Sequence, residues 1–315
     1  MKTLCITGCL GFIGSHFTHR CLELGYHVMG VDKCTYAADL SILQKFNTYK
    51  NFIFKEIDIK DMDTLPICDY VVNFAAESHV QNSIGSSDAF MSSNVLGTQT
   101  LLNLIKNKAP NSGYRPIFLH ISTDEVYGDI LEGAHTETDA LCPSNPYSAS
   151  KAAADLLVLA WARTYGLDYV ILRPTNNYGI RQYPEKLIPL SVCNLRSGRK
   201  IKLHNQGTPI RNWLHVEDTV EAVLTIIDSG VTNEIYNVAG GFEQKNITTV
   251  QKIIKAYDEN YVWEDHIDMS YNRQGQDVRY ALDDCKLRNL GWSPKRDFDA
   301  EIGNIVEYFK TEFKW

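Results

Sequence analysis

The chain has 315 residues, 44% of them hydrophobic and 22% charged, enough to bury a sizeable core in one large domain or two smaller ones. With 31 basic against 38 acidic residues the formal net charge is −7, which argues against nucleic acid or an anionic membrane surface as the main partner. No apolar run approaches the ~20 residues of a membrane span, the eight cysteines are scattered without a C-x-x-C pair, and the nine histidines show no metal-ligand spacing.

In chain order, Thr3–Thr7 reads as a strand and Phe12–Leu24 as an amphipathic helix. His27–Val31, Phe52–Ile57 and Tyr70–Ala75 are further strands, and Asp88–Lys106 has helical periodicity. Ile117–Ile121 is a fifth strand, Tyr147–Tyr165 a long helix and Tyr169–Leu172 a sixth strand. Strands separated by helices predict right-handed crossovers and a parallel sheet covered on both faces. After Arg173-Pro174 the rhythm loosens. Leu187–Arg196, Val216–Asp228, Thr248–Tyr257 and Ala300–Phe313 read as helices, and Ile235–Val238 as a strand. The expected fold is α/β: a Rossmann doubly wound parallel sheet followed by a smaller α/β substrate lobe. The first unit spans residues 1–174, with a contribution from about 212–240, and the second 175–315. Met1-Lys2-Thr3-Leu4 enters the first strand with no apolar leader before it, so a cytoplasmic chain with reduced thiols is expected.

The first strand runs into Gly8-Cys9-Leu10-Gly11-Phe12-Ile13-Gly14. Glycines at this spacing permit a tight turn and close approach of a pyrophosphate, and the helix that follows offers free N–H groups. Asp32 ends the second strand. A carboxylate there binds ribose hydroxyls and repels a 2′-phosphate, which selects NAD over NADP. Lys33 stands next to it.

Pro146-Tyr147-Ser148-Ala149-Ser150-Lys151 opens the long helix, with Asn145 or Ser144 as its cap and Pro146 in the first turn. Tyr147 and Lys151, four apart, share a face. An ammonium and a helix N-terminus both favour a phenolate, so Tyr147 is expected to work as a base near neutral pH. The fifth strand ends in Ser122-Thr123-Asp124-Glu125, where ligands of such sheets gather. Those four residues also fit a helix capping box.

Gly8/Gly11/Gly14, Asp32, Tyr147 and Lys151 together resemble the extended short-chain dehydrogenase/reductase superfamily. The stretches VDKCTYAADL (31–40), NFAAESHV (73–80), ISTDEVYGD (121–129) and YSASK (147–151) are similar to its nucleotide-sugar 4,6-dehydratases, above all those acting on dTDP-glucose. So are NNYGIRQYPEKLIP (176–189), IRNWLHVEDT (210–219), YNVAGGFEQKN (236–246) and DVRYALD (277–283), in order along nearly the whole chain.

The resemblance implies a lyase that uses NAD in a closed redox loop. The C4 hydroxyl of a glucose nucleotide is oxidised, water leaves across C5–C6, and hydride returns to C6. The product is a 4-keto-6-deoxy sugar on the way to rhamnose-type deoxysugars. By the same resemblance Tyr147 takes the O4 proton, Lys151 assists it and holds the nicotinamide ribose, and Thr123 hydrogen-bonds O4. Glu125 takes the C5 proton and Asp124 protonates the leaving hydroxyl. The implied NAD wall is Gly8, Gly11, Phe12, Ile13, Gly14, Asp32, Lys33, Thr35, Asp58, Ile59, Ala75, Ala76, Tyr147, Lys151 and Asn177. The implied substrate contacts are Ser78, His79, Thr123, Asn176, Glu185, Lys186, Leu187, Lys202, His204, Arg211, Asn246, Arg273 and Arg279. A 4-epimerase of the superfamily has no use for the Asp-Glu pair; a non-catalytic NAD-binding scaffold is the rival from another class.

Two departures mark this chain. Leu203-His204-Asn205-Gln206-Gly207 stands where relatives carry Ile-Tyr-Gly-Asp-Gly, and Asn212 replaces an Asp. One methyl group, worth ~1 kcal/mol or little more in a pocket, separates thymine from uracil, so dTDP-glucose and UDP-glucose both stand as substrates. Finally, between Ala152 and Ala162 only Asp155 is polar. A helix apolar nearly all round is buried on both sides. Together with Val95, Leu96, Leu101, Leu102 and Ile105 this predicts a homodimer closed by a four-helix interface, as in the family, or cover by the smaller lobe of the same chain.

Overall fold

Side chains alternate across a strand, so a strand buried on both faces must be apolar at every position. In the computed structural model, which describes residues 1–112, 114–272 and 277–313, the central strands carry buried apolar residues at their middle positions. Among the described residues the strands are β1 (Thr3–Thr7), β2 (His27–Asp32), β3 (Phe52–Glu56), β4 (Tyr70–Asn73), β5 (Ile117–Ile121) and β6 (Tyr169–Pro174), then β7 (Asn176–Tyr178), β8 (Ile201–His204), β9 (Ile210–His215), β10 (Glu234–Val238), β11 (Phe242–Lys245) and β12 (Ile267–Tyr271). Leu4, Ile6, Leu119, Val170 and Leu172 point to one face of the main sheet, where they meet Phe17, Val220, Val223 and Ile227 from helices Phe12–Glu23 and Val216–Ser229. Cys5, Phe118 and Ile171 point to the other, against Leu101, Leu102, Ile105 and Val158 from helices Gly97–Ser112 and Pro146–Tyr165.

The main sheet has seven strands in the order β10-β6-β5-β4-β1-β2-β3, and every neighbouring pair is parallel. This is the expected Rossmann-like α/β fold. After β1 the chain builds outward through β2 and β3, then returns to lay β4 on the other side of β1. That reversal opens a crevice at the carboxyl ends of β1 and β4. The last strand of the sheet, β10, comes from well after Pro174 and pairs with β6.

A separate core lies beyond the sheet. Tyr178, Trp213 and Phe298 anchor it with Ile188, Val192, Val250, Ile253, Ile302 and Phe309. Two small sheets, β11-β9-β7 and β12-β8, frame it. The irregular second half therefore holds five short strands, β7, β8, β9, β11 and β12, of which sequence patterning showed none.

Two expectations need correction. The 88–106 helix is not continuous: Asp88–Phe90 is α-helical, Met91–Leu96 forms a π-helical turn, and Gly97–Ser112 resumes the α-helix. And the smaller lobe does not cover the apolar helix. Leu156 on Pro146–Tyr165 is 57% exposed and Leu96 52%. Among the described residues no helix is long and apolar enough to cross a membrane.

The ring of Phe298 packs 4.9 Å from Tyr178, 5.2 Å from Phe242 and 5.7 Å from Trp213, centroid to centroid. Removing so large a buried ring leaves a cavity that rigid aromatic neighbours cannot fill, so Phe298→Ala will cost about 3–5 kcal/mol in urea unfolding. A cost below about 1 kcal/mol would show that this core is not a unit.

Candidate active site

Three adjoining hollows run along the carboxyl edge of the main sheet and into the second core. The first is lined by Gly8, Gly11, Asp32, Lys33, Thr35, Asp58, Ile59, Ala75 and Ala76. The second takes Phe12, Ile13, Gly14, Ser78, Thr123, Asp124, Glu125, Tyr147, Lys151, Asn176 and Asn177. The third takes His79, Glu185, Lys186, Leu187, Lys202, His204, Arg211 and Asn246. Shared walls, Gly8 and Ala76 between the first pair and Glu125 and Asn176 between the second, make them one cleft.

The residues at the first hollow fit a dinucleotide. Gly8 sits at φ +68°, and a Cβ there would lie 2.6 Å from the Ala75 nitrogen. A Cβ on Gly14 would lie 2.1 Å from the Gly8 carbonyl oxygen. Helix Phe12–Glu23 begins at Gly11 with no side-chain cap, leaving its first N–H groups open toward the cleft. Asp32 accepts from the Leu10 and Cys34 backbone nitrogens at 3.0 and 2.9 Å. Those bonds hold its carboxylate at the strand end with lone pairs to spare for ribose hydroxyls. Lys33 is turned aside: its ammonium donates to Ser93 and faces Glu77 at 3.3 Å and Asp58 at 3.7 Å.

At the second hollow, β5 delivers Thr123, Asp124 and Glu125, and helix Pro146–Tyr165 delivers Tyr147 and Lys151. Asn145 caps that helix with a complete capping box and Pro146 enters its first turn. Thr123 in turn caps the short Asp124–Val126 turn, its Oγ accepting from the Glu125 nitrogen at 3.3 Å. Capping and delivery of the acids are thus the same act. Thr123 Oγ also donates to Asp124 Oδ1 at 3.0 Å, whereas Asp124 Oδ2 is buried without a hydrogen-bond partner.

The two acids differ in surroundings. Burial and the neighbouring Glu125 push the Asp124 carboxyl up to about 7. Burial also raises Glu125, but the guanidinium of Arg211, the ammonium of Lys186 and a hydrogen bond from Asn145 pull it back. The arrangement can hold one acid protonated beside one ionised. Lys151 is fully inside and burial lowers its ammonium to about 8. Tyr147 departs from expectation: burial first, then Glu125, push its phenol above the usual value. Lys151 Nζ donates to the Ile121 carbonyl oxygen at 2.7 Å, so its hydrogen bond goes to the strand end.

In the third hollow Arg211 lies 4.4 Å over the Tyr280 ring and donates to the Asp277 carbonyl oxygen at 3.1 Å. The amide oxygens of Asn176 and Asn246 are buried without partners, as befits groups that wait for a ligand. Asn177 is different: its amide is spoken for by the Thr175 carbonyl and the Thr219 hydroxyl. Lys186 donates to the Ser78 carbonyl oxygen at 2.6 Å and Glu185 accepts from Tyr36 at 2.8 Å, so the 181–187 segment is strapped across the cleft. His204 meets Tyr271 edge to face at 6.5 Å, and Lys202 sits 4.4 Å over the same Tyr271 ring.

Arg279 is not brought to the cleft. Its guanidinium grips both Glu243 oxygens, at 2.7 and 2.9 Å, and the Ile130 and Gly133 carbonyls. It clamps loops together where a substrate contact was expected. Arg273 lies outside the described residues. Sequence reasoning passed over Asn145, Gln182, Tyr183, Asp277 and Tyr280, all of which line the cleft. Asn145 had a visible role as a cap, which hid the second one; the others carry no local signal.

The sequence pattern described as GDP-mannose 4,6 dehydratase matches residues 5–305. The low-salt glycan biosynthesis protein Agl12 of Haloferax volcanii is 41% identical over 96% of this chain and 97% of its own. A dTDP-glucose 4,6-dehydratase of Streptomyces niveus is 40% identical over 98% of this chain and 93% of its own. The crystal structure of DesIV, a dTDP-glucose 4,6-dehydratase from Streptomyces venezuelae solved with NAD bound, superimposes with a TM-score of 0.92 at 37% identity, over 98% and 97% of the two chains.

Asp124 also predicts a pH dependence. Its carboxyl holds a proton up to about 7 when folded against 3.8 in the reference state, so the folded chain binds the extra proton in between. Stability contributed by this group is therefore lost as pH rises through that window. Asp124→Asn removes the loss, and its melting temperature relative to the native chain will climb between about pH 4 and about pH 8. An offset constant across that range would contradict the assignment.

Proposed function

The chain belongs to the nucleotide-sugar 4,6-dehydratases, the family described by the GDP-mannose 4,6 dehydratase pattern, and from that premise we propose that it removes water from a nucleoside-diphosphate glucose. The product is the 4-keto-6-deoxy sugar nucleotide. The observation that carries the reading is the pair Asp124–Glu125, held inside the cleft on the same wall as Thr123, Tyr147 and Lys151.

Each residue then has a task. Gly8, Gly11 and Gly14 let the cofactor's pyrophosphate approach the open N–H groups, and Asp32 takes its ribose hydroxyls. NAD, when bound, supplies the hydride acceptor for oxidation at C4 and the donor for the return to C6. Thr123 donates to or accepts from O4 of the sugar, and Tyr147 removes the O4 proton. Lys151 steadies the phenolate that Tyr147 must carry before it takes that proton. The 4-ketone so formed acidifies the C5 proton, which Glu125 accepts. Asp124, protonated near neutral pH, gives its proton to the C6 hydroxyl, which leaves as water. An epimerase of the superfamily would need Tyr147 and Lys151 but would gain nothing from burying two carboxyl groups at a desolvation cost. Arg211 is suited to the diphosphate, since a guanidinium pairs bidentately with phosphate oxygens.

Residues 1–174 with about 212–240 form the cofactor unit and 175–315 the substrate lobe. The exposed Leu156 and Leu96, on neighbouring helices, with Met91 at 46% exposure, support a homodimer that buries them. The names of the relatives support dTDP-glucose; His204 at the cavity end leaves UDP-glucose as a second substrate.

The test is to incubate the purified chain with NAD and each glucose nucleotide and follow the 4-keto-6-deoxy product by its alkaline absorbance and by mass. Loss of one water is expected; a galactose isomer alone would indicate an epimerase. Glu125→Gln will still form NADH in a single turnover but lose water elimination by about 10²–10⁴-fold. Tyr147→Phe retaining more than a few per cent of turnover would remove it as the base. Analytical ultracentrifugation will show a dimer that Leu156→Glu dissociates.

A further inference from the structure

Behind Tyr147 and Lys151, one helical turn deeper, lies an acid that the reaction scheme above does not use. Asp155 is four residues after Lys151 on the same helix and has no solvent exposure. Polar residues that deep are held by partners, and Asp155 has them on two strands. Arg173 of β6, itself 2% exposed, donates Nε to Asp155 Oδ2 at 2.9 Å and Nη1 to the Tyr127 hydroxyl at 2.6 Å. Tyr127 passes the bond on to Asn237 Oδ1 of β10 at 2.9 Å. From the other side His120 of β5 presents Nε2 to Asp155 Oδ1 at 3.6 Å. The amide of Asn73 in β4 donates to His120 Nδ1 at 3.3 Å, which places the ring proton on Nε2, facing the carboxylate. Four strands of the sheet thus converge on one carboxylate.

So elaborate a mount is more than the helix needs to pack. The charged and titratable groups around it are Lys151, Tyr147, Arg173, Tyr127, His120 and, further along the cleft, Glu125 and Asp124. With His120 neutral and Tyr147 a phenol, the inner cluster of Lys151, Arg173 and Asp155 carries one net positive charge. When Tyr147 gives up its proton the cluster becomes neutral. A second buried cation without Asp155 would be hard to keep protonated in a low-dielectric interior.

We propose that Asp155 is a positioning residue of the proton-transfer site: clamped by Arg173 and flanked by the His120 ring, it holds Lys151 as an ammonium and sets the proton affinity of the Lys151–Tyr147 pair. The inference rests on the dehydratase reading for its kinetic consequence. Its electrostatic consequence does not. Asp155 acts on both members of the pair with the same sign, raising the proton affinity of Lys151 and of Tyr147. Its loss therefore moves both toward lower pH, whereas a merely structural residue would lower activity without moving either.

The experiment compares the native chain with Asp155→Asn, which keeps the shape and can still accept from Arg173. Because an unmatched Arg173 can unfold the variant, the double substitution Asp155→Asn/Arg173→Gln is measured beside it. Both limbs of the pH–rate profile for dehydration will shift acidward by about one pH unit, and Asp155→Glu will restore them. In parallel, the Lys151 side-chain resonance, in protein carrying ¹³C-labelled lysine and assigned with Lys151→Arg, will titrate lower by a similar amount. Unmoved limbs together with an unmoved Lys151 titration, in whichever variant folds, would overturn the proposal. If the native chain dehydrates no nucleotide sugar at any pH, the function falls, and the lysine titration still decides the role of Asp155.

Discussion

The cleft depends on one close approach: the backbone after β1 lies against the backbone after β4. At Gly8 even a methyl group would sit 2.6 Å from the Ala75 nitrogen and 2.8 Å from its Cα. Because β1 stands at the point where the strand order reverses, its carboxyl end and that of β4 diverge into helices on opposite faces. The gap between them is as wide as that contact allows. Every later placement, Asp32 at the end of β2, the acids at the end of β5, Asn176 after β6, is measured from it. A side chain at residue 8 would open the sheet at its centre and spread those ends apart.

Within that frame, chemistry comes from unequal desolvation. Asp124 and Glu125 are adjacent in sequence, yet the turn that starts at Thr123 sends them to different neighbours. Glu125 falls within the field of Arg211 and Lys186, which arrive from the second lobe. Asp124 is raised first by burial and then by Glu125 beside it, with the hydroxyl of Thr123 and the more weakly felt Arg211 pulling the other way. The second lobe therefore does more than wall the cleft; its cations oppose the rise that burial imposes on Glu125 and so set the two acids apart. The same logic explains why the phenol of Tyr147 is raised in the isolated chain. Burial acts on it first and the field of Glu125 second.

What sequence reading recovers follows from where the signal is local. The seven strands of the main sheet carry their own burial pattern, so all of them were found to within two residues of their ends. The glycine loop, Asp32, Tyr147 and Lys151 are likewise short-range arrangements fixed by one turn or one helix. The second lobe is not. Its strands are three to six residues long, most of them part-exposed, and they pair with partners far away in sequence, β8 with β12 and β9 with β11. Tyr280 and Asp277 enter the cleft only through such pairings, by the bridge between Ile210 and Arg279. Arg279 was misread for the complementary reason: a lone arginine in a matching stretch looks like an anion contact, and only the fold shows Glu243 waiting for it.

The stretch 203–207 shows how the chain spends conformational strain. Asn205, Gln206 and Gly207 all adopt the left-handed region, with φ of 51°, 56° and 69°. Two of the three are not glycine, and a glutamine there is uncommon enough to require support from its surroundings. The support is the tight seat of Gly207, where a Cβ would lie 2.9 Å from the Ile247 side chain, next to Asn246 in the cavity wall. This turn fixes the end of β8 and so aims His204 and Lys202 toward Tyr271 and the cavity. Strain is thus held beside the cavity, in the very stretch where this chain departs from the pattern expected of its relatives.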